Sequence, residues 1–184
     1  ANLCISCHQS RPLDMPDVTA PTDSIDVTSS RFGPHHGPQG PLFAGTSGYE
    51  VGSGYTNSSH TNMLDNSCVE CHMAEAYGIQ AGGHVMSMTY EYHGSDAVWQ
   101  AGCSDCHTDE AALETKIEAT KLEIETLLDS LGVLLKAEGI MSSSGSAVPG
   151  TYTNELAGAM FNFKFIEEDR SGGIHNYKYA KKLL

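Results

Sequence analysis

Apolar and polar positions alternate with helical periodicity only in the last part of the chain. From Thr108 onward, apolar side chains recur at the three- and four-residue spacing that places them on one face of a helix. Thr108 or Asp109 is suited to cap its start and Gly139 to end it, so the pattern predicts a helix of about 30 residues, roughly 45 Å long. The apolar stripe consists of Leu113, Ile117, Ile124, Leu127, Leu128, Leu131, Leu134 and Leu135.

Two further helices are predicted after this one. The turn-forming segment SSSGSAVPG separates the long helix from a second amphipathic stretch, which ends before Gly172 and Gly173. The stretch NYKYAKKLL predicts a short third helix. The apolar positions of the second helix are Leu156, Ala159, Met160, Phe163 and Ile166. These stripes predict packing of helix against helix or against a cofactor, with a subunit interface as the alternative.

The first 107 residues show little periodicity. Segments such as DVTAPTDSIDVTSSRFGPHHGPQGP and GTSGYEVGSGYTNSSH are rich in turn-forming residues and predict loops with short helices. We therefore divide the chain into region 1–107 and a helical region, 108–184, within one integrated domain. With 19 Gly against five Phe and one Trp, the chain has little apolar material for a conventional core.

All six cysteines fall in three CxxCH motifs of region 1–107. The motifs are CISCH, CVECH and CSDCH, with the cysteines Cys4, Cys7, Cys68, Cys71, Cys103 and Cys106. In such a motif the two thiols bond to the haem vinyl groups, and the adjacent histidine binds the iron as proximal ligand. Zinc and a disulfide framework are weaker alternatives, because neither requires a histidine after every CxxC. The motifs predict three haem c groups, with His8, His72 and His107 as proximal ligands.

Three haems would supply the apolar bulk that the sequence lacks. The predicted fold is therefore mainly α with extensive loop. It consists of a haem core wrapped by irregular chain, followed by a long carboxy-terminal helical hairpin that closes with a haem-ligating segment. Without haem, the first region is not expected to fold.

Six histidines remain as candidate distal ligands: His35, His36, His60, His84, His93 and His175. Nine histidines exceed ordinary usage for 184 residues and match three irons that each bind two imidazoles. His175 follows Gly172 and Gly173 at the head of the predicted short helix, a placement that lets a rigid element deliver one imidazole to a haem. Methionine is the alternative sixth ligand, although we expect the methionines to pack against haem faces and helices.

From His35 to its end the chain resembles the carboxy-terminal part of the pentahaem cytochrome c nitrite reductases and the related multihaem cytochromes that include hydroxylamine oxidoreductase. The resemblance rests on SSH before CVECHM, GGH after it, CSDCHTDE opening a long helix, and GGIHNYKYAKKLL at the end. It implies that one of His35 or His36, together with His84 and His175, are distal ligands, and that His60 falls where nitrite reductases keep a catalytic histidine. We favour His36, His84 and His175 over His35, His60 and His93.

Electron transfer is the function that these features favour. Irons with two histidine ligands need no substrate site, have low potentials and change little in geometry on reduction. Nitrite reductases place substrate on a haem attached through CxxCK, and the sequence contains no CxxCK. An electron carrier rather than an enzyme is therefore expected. The alternative is a reductase of a small nitrogen or sulfur oxyanion that keeps one open haem site, with His60 or His93 as proton donor.

Charge and composition narrow the partners and the compartment. The formal net charge of −13 argues against nucleic acid, whose phosphates would be repelled. No apolar run approaches the roughly 20 residues needed to cross a bilayer. A start at ANLC without Met, and haem attachment outside the cytoplasm, predict a periplasmic or extracellular protein. The expected partners are other redox proteins or copies of the chain itself, in a homo-oligomer or an electron-conducting filament.

Overall fold

The computed structural model of the protein describes residues 2–10, 23–34, 36–63 and 66–184. The helices of these ranges are α1 (Asn2–Cys7), α2 (Gln39–Ala44), α3 (Ser59–Met63), α4 (Cys68–His72), α5 (Glu110–Ala137), α6 (Asn154–Asp169) and α7 (Tyr177–Leu183), with a 3₁₀ turn at Gly83–Val85. The strands are β1 (Ser24–Val27), β2 (Thr89–Tyr92), β3 (Ser95–Val98) and β4 (Gly150–Thr153). None of the helices in these ranges is long and apolar enough to span a membrane.

The long helix α5 lies where the periodicity predicts it and has 28 residues. Asp109, rather than Thr108, caps it, because the Asp109 carboxylate accepts a hydrogen bond from the Ala112 amide at 3.0 Å. The helix ends just before Gly139, whose φ of 77° is a left-handed conformation that glycine adopts readily. Leu134 does not belong to the buried stripe and is 62% exposed. Successive residues point about 100° apart, so Leu135 takes the inward position instead.

Helices α6 and α7 complete the helical region. The Thr153 hydroxyl caps α6 by accepting a hydrogen bond from the Leu156 amide at 3.3 Å. The buried Asn162 of α6 donates from Nδ2 to the Leu183 carbonyl of α7 at 3.1 Å. On the other side of α7, Lys181 Nζ donates to Glu123 Oε1 of α5 at 2.6 Å. The sequence predicted both α6 and α7. Hydrogen bonds join α7 to α6 and to α5.

Two antiparallel strand pairs were not predicted. Strand β1 pairs with β4 from Ser24 opposite Thr153 to Val27 opposite Gly150. Strands β2 and β3 form a hairpin that turns at His93 and Gly94, both with positive φ. Each strand has four residues, too few for alternation to stand out from the surrounding loop. The β1–β4 pair joins the amino-terminal region to the segment that leads into α6.

Side-chain burial is uneven along the chain. Most of the buried apolar cluster comes from the helical region, and its members are Val27, Phe32, Leu42, Ile124, Leu135, Ile140, Met141, Ala147, Ala157, Met160, Phe161, Phe165, Ile166, Tyr179, Ala180 and Leu183. Between residues 59 and 107, Ala81 is the one buried apolar side chain that the structure describes. The segment that contains the second and third CxxCH motifs therefore has hardly any apolar core of its own.

Candidate haem-binding site

The first CxxCH motif lies in α1 and the residue after it. The His8 amide donates to the Cys4 carbonyl at 2.8 Å and continues the helical turn. The Gln39 amide group points its Nε2 at two backbone carbonyls, those of Glu168 and Asp169, at 3.3 and 3.1 Å. Its Oε1 therefore faces His8 Nδ1 at 2.9 Å and accepts the ring proton. This leaves His8 Nε2 as the nitrogen that can bind a metal.

The second motif forms α4, and its histidine is oriented in the same manner. His72 Nδ1 lies 2.8 Å from the backbone carbonyl of Met86. A carbonyl only accepts, so Nδ1 carries the proton and Nε2 is free to bind a metal. The Met86 carbonyl follows the 3₁₀ turn at Gly83–Val85, in the loop after the motif.

The third motif, residues 103–107, forms a hydrogen-bonded turn. The sequence had predicted a short helix here. The His107 amide donates to the Cys103 carbonyl at 2.8 Å, and the Cys106 amide donates to the same carbonyl at 3.2 Å. Asp109, the cap of α5, lies two residues beyond His107. The histidine of this motif, His107, is therefore held next to the start of the longest helix of the described residues.

The three motifs lie side by side in the order of the sequence. Burial raises the pKa of the Cys68 thiol, and the neighbouring Cys4 thiol raises it further. Burial raises the pKa of Cys71 to about 11, with Cys103 as the next contributor. At Gly102, a side-chain Cβ would lie 2.6 Å from the Glu70 carbonyl oxygen, so the third motif packs on the backbone of the second. All six thiols are free rather than paired as disulfides.

His175 lies next to His72, the histidine of the second motif. Their ring centroids are 6.2 Å apart, with an angle of 44° between the ring planes. His175 Nδ1 lies 2.6 Å from Oδ1 of the buried Asp169. Two imidazoles that bind one metal ion from opposite sides, each at about 2.0 Å, have centroids about 6.3 Å apart. The separation and the engagement of both Nδ1 atoms fit axial ligation of one iron.

A second pair consists of His60, on α3, and His107, the histidine of the third motif. Their ring centroids are 6.3 Å apart, and their planes make an angle of 83°. This separation also fits two axial ligands of one iron, since the angle between axial ring planes is free to vary about the metal–nitrogen axis. Sequence reasoning placed His60 among the less favoured distal candidates, and the structure brings it next to a proximal histidine.

One buried residue connects both pairs. The side chain of Asn176, which follows His175, is completely buried. Its Oδ1 accepts a hydrogen bond from the Ser58 amide at 2.9 Å, at the start of the helix that carries His60. The same Oδ1 caps α7 by accepting from the Tyr179 amide at 3.4 Å. Asn176 therefore fixes the positions of His60 and His175 relative to each other.

Three of the other candidate histidines, His36, His84 and His93, are exposed. His36 is exposed, has a φ of 55°, and contacts Glu168 Oε2 through Nδ1 at 3.2 Å. His84 is exposed in the 3₁₀ turn. His93 is exposed at the tip of the β2–β3 hairpin, with its ring 4.2 Å from that of Tyr92. His35 lies outside the described residues.

Apolar side chains around the motifs are exposed in the structure. Leu3 in α1 is 86% exposed, and Ile79 in the loop after α4 is 91% exposed. Met86, whose carbonyl holds His72, and its neighbour Val85 are also exposed. Met141 and Met160, in contrast, are buried in the helical core. An apolar surface beside the thiols and imidazoles is suited to contact with a porphyrin ring.

Sequence reasoning missed the residues that orient the histidines. Gln39 and Asp169 each lie far from a CxxCH motif, and neither occurs in a recognisable pattern. Only the spacing DRSGGIH offers a signal, because a carboxylate six residues before a candidate ligand can fold back on it across two glycines. Among the described residues, no three or more histidine, cysteine or acidic side chains are grouped so that they could hold a metal ion.

The chain is similar to a known multihaem protein. It is 24% identical over 229 aligned positions to the C-type polyheme cytochrome OmcC of Geobacter sulfurreducens, across all of this chain and 29% of that cytochrome. The chain thus spans less than a third of its relative. No family model and no solved structure matches, so the resemblance to nitrite reductases stays a prediction. The similarity to OmcC supports the interpretation of the CxxCH motifs as those of a multihaem c-type cytochrome.

Proposed function

We propose that the chain is an electron-transfer cytochrome that holds three haem c groups in a row. The haem irons supply one-electron chemistry between Fe(III) and Fe(II). The attaching residues are Cys4, Cys7, Cys68, Cys71, Cys103 and Cys106, and the proximal ligands are His8, His72 and His107. The proposal rests on two pairs of imidazoles. The ring centroids of His72 and His175 are 6.2 Å apart, and those of His60 and His107 are 6.3 Å apart.

On the basis of these pairs, we propose distal ligands for two motifs. His175 serves the motif of Cys68 and Cys71, and His60 serves the motif of Cys103 and Cys106. With two histidines as ligands, a haem iron at these sites would have no position left for a substrate. Hydrogen bonds that Nδ1 of His72 and of His175 donate, to the Met86 carbonyl and the Asp169 carboxylate, hold the rings in one orientation. This arrangement favours electron transfer over catalysis.

The order of the motifs supports transfer from one haem to the next. Thiols of adjacent motifs lie close together at Cys4 and Cys68, and again at Cys71 and Cys103. Attachment points this close keep neighbouring porphyrins near each other. The middle motif is thus placed to pass electrons between the other two.

For the first motif, we retain His36 as the favoured distal ligand. Its loop lies against this motif, since a Cβ at Gly37 would be 3.1 Å from the Cys7 carbonyl oxygen. His84 and His93, the other described distal candidates, are exposed, and we propose that such exposed histidines contact a haem of a neighbouring molecule. We infer that copies of the chain associate end to end through such contacts, as an exported redox oligomer or filament. A single species with the mass of one haem-loaded chain, and no fibres by electron microscopy, would contradict this association.

Electron paramagnetic resonance of the oxidised protein tests the ligand assignment. The wild-type protein is expected to show low-spin iron at the second and third motifs. His175→Ala and His60→Ala are each expected to convert one of three haems to a high-spin form that binds carbon monoxide after reduction. Asn62→Ala, on the same helix as His60 and exposed, is the matched control and should leave the spectrum unchanged.

The two variants address separate haems, so their effects should add. The double variant is expected to show two high-spin haems. A wholly low-spin spectrum of His60→Ala would remove His60 from the ligand set, and the same result for His175→Ala would remove His175. A substoichiometric high-spin signal from one open haem of the wild-type protein would favour the reductase alternative over the carrier.

A further inference from the structure

The imidazole of His175 differs from the other oriented histidines in what holds it. His8 and His72 donate from Nδ1 to neutral oxygens, those of the Gln39 amide and the Met86 carbonyl. His175 Nδ1 instead contacts a carboxylate, that of Asp169, at 2.6 Å. The Asp169 side chain is completely buried, whereas that of His175 is 21% exposed. His36 Nδ1 also contacts a carboxylate, that of Glu168 at 3.2 Å, but the Glu168 side chain is 17% exposed. The distal candidate at the middle motif is therefore the one whose carboxylate is completely buried.

The surroundings hold the Asp169 carboxylate in place. The Ser171 amide donates to Oδ2 at 3.2 Å, and the Ser171 hydroxyl donates to the same oxygen. The hydroxyl oxygen also accepts from the His175 amide at 3.2 Å. Oδ1 is thereby left to His175, and the turn through Gly172 and Gly173, both with positive φ, returns the chain to it. Hydrogen bonds within this turn therefore fix the position of the Asp169 carboxylate.

The position of Asp169 also connects two motifs. Its backbone carbonyl accepts from Gln39 Nε2, the amide that orients His8, while its side chain contacts His175. The carboxy-terminal end of α6 thus orients a ligand candidate at each of two adjacent motifs. A buried carboxylate lacks the solvation of an exposed one, so its position needs the hydrogen bonds that it receives here.

We propose that Asp169 is a positioning residue that directs His175 Nε2 at the iron of the middle haem and lowers the reduction potential of that haem. This inference rests on the proposed function. A hydrogen bond from Nδ1 to a carboxylate fixes the tautomer and makes Nε2 a stronger electron donor, which favours Fe(III). The buried negative charge acts in the same direction, because it is more favourable beside the more positive iron. The neutral acceptors of His8 and His72 lack this charge.

The test is a redox titration of the haem-loaded protein, followed by visible spectroscopy, for wild type, Asp169→Asn and Glu167→Gln. Asp169→Asn keeps the shape and removes the charge. We expect one of the three haem components to move to higher potential by at least about tenfold in its reduction equilibrium, which is 59 mV for one electron. The other two components should stay in place. Glu167→Gln removes the same charge from an exposed side chain two residues away and should move none of them.

A second measurement uses the wild-type protein, so its result does not depend on how Asp169→Asn folds. In wild-type protein labelled with carbon-13 at aspartate carboxylates, redox-difference infrared spectra should show an aspartate band that changes as one haem is reduced. The isotope distinguishes this band from those of the haem propionates. Unchanged potentials in Asp169→Asn, an equal shift in Glu167→Gln, or no labelled redox-sensitive band would each overturn the inference.

The outcomes separate this inference from the function on which it rests. A wild-type protein without low-spin haem at the middle motif contradicts both. Three low-spin haems whose potentials do not respond to Asp169→Asn contradict the inference alone and leave the proposed function intact. An upward shift that disappears when Asp169→Asn is combined with His175→Ala would place the effect of Asp169 on its ligand rather than on the fold.

Discussion

In the helical region, residues 108–184, side chains from α5, α6 and α7 pack against one another, with Ile124, Phe165 and Tyr179 almost completely buried. In the segment from 59 to 107, which carries the second and third motifs, the described residues include one buried apolar side chain, Ala81. Both parts belong to one chain, and they meet where the ring of His72 lies 6.2 Å from that of His175, centroid to centroid. They differ in how many apolar side chains each of them buries.

The difference indicates two ways of stabilising a fold. Apolar area removed from water stabilises the helical region in the ordinary way. The motif-bearing segment instead presents exposed apolar side chains, among them Ile79 and Met86, beside thiols and imidazoles. We propose that haem provides the core of this segment. The two parts should therefore respond differently to loss of haem and to loss of a buried side chain.

Removal of one attachment site should have the largest effect. The double substitution of Cys68→Ala with Cys71→Ala deletes the thioether bonds of the middle haem, so we expect two covalent haems per chain instead of three. The segment from 59 to 107 should lose its fold at lower temperature, whereas the helicity of α5 to α7 should persist. Mass spectrometry of denatured protein counts the haems, and far-ultraviolet circular dichroism against temperature follows the helices.

The matched control is Ser104→Ala, which lies inside the third motif but forms no bond to haem. It should keep three haems. Complete extraction of haem from the wild-type protein into acidified organic solvent would show that the thiols do not hold it covalently, and this would contradict the c-type interpretation.

Truncation of a buried side chain of the helical region should destabilise that region and leave the haems in place. Phe165 is completely buried and stacks on Phe161, with centroids 6.2 Å apart. Phe165→Ala is expected to lower the free energy of unfolding by about 3–5 kcal/mol, because it leaves a cavity as well as less buried area. Denaturant unfolding followed by circular dichroism measures the change. The number of haems should stay at three.

An exposed position of α5 supplies the comparison. Val133 is 66% exposed, so Val133→Ala should change the free energy of unfolding by no more than about 0.5 kcal/mol. If Phe165→Ala instead released haem without loss of helicity, the two parts would not be stabilised separately as we propose.

The contrast also explains what the sequence could predict. Helix α5 repeats its apolar spacing over 28 residues, so the periodicity located it, although Leu134 at the edge of the stripe was misplaced. The CxxCH motifs are local in sequence and needed no fold to be recognised. Strand β1 pairs with β4, whose residues follow it by more than 120 positions. No local pattern contains that pairing.

The histidine pairs were harder to predict for the same reason. His72 and His175 meet across about 100 residues, through the return of the chain after α6. His175 stood out because of the two glycines before it, but no sequence feature connected it to the middle motif. The approach of His60 to His107 depends on Asn176, a residue from the other end of the chain. Such pairings follow from tertiary packing, which a wrapped loop does not encode in its periodicity.

The smallest effect is expected at the junction of the two parts. Asp109 caps α5 by accepting from the Ala112 amide at 3.0 Å, two residues after the proximal His107. Asp109→Ala leaves an amide of the first turn without this acceptor and removes a negative charge from the positive end of the helix dipole. We expect the free energy of unfolding to fall by about 1 kcal/mol, with three haems and an unchanged low-spin spectrum.

Asp109→Ser retains an oxygen that can accept the same hydrogen bond and should restore most of this stability. Since His107 is held by the turn that ends on the Cys103 carbonyl at 2.8 Å, the cap should contribute to the helix rather than to the iron. Circular dichroism and electron paramagnetic resonance on the same samples check both statements. A high-spin haem in Asp109→Ala would mean that the start of α5 positions His107, and the two parts would then be coupled at this junction.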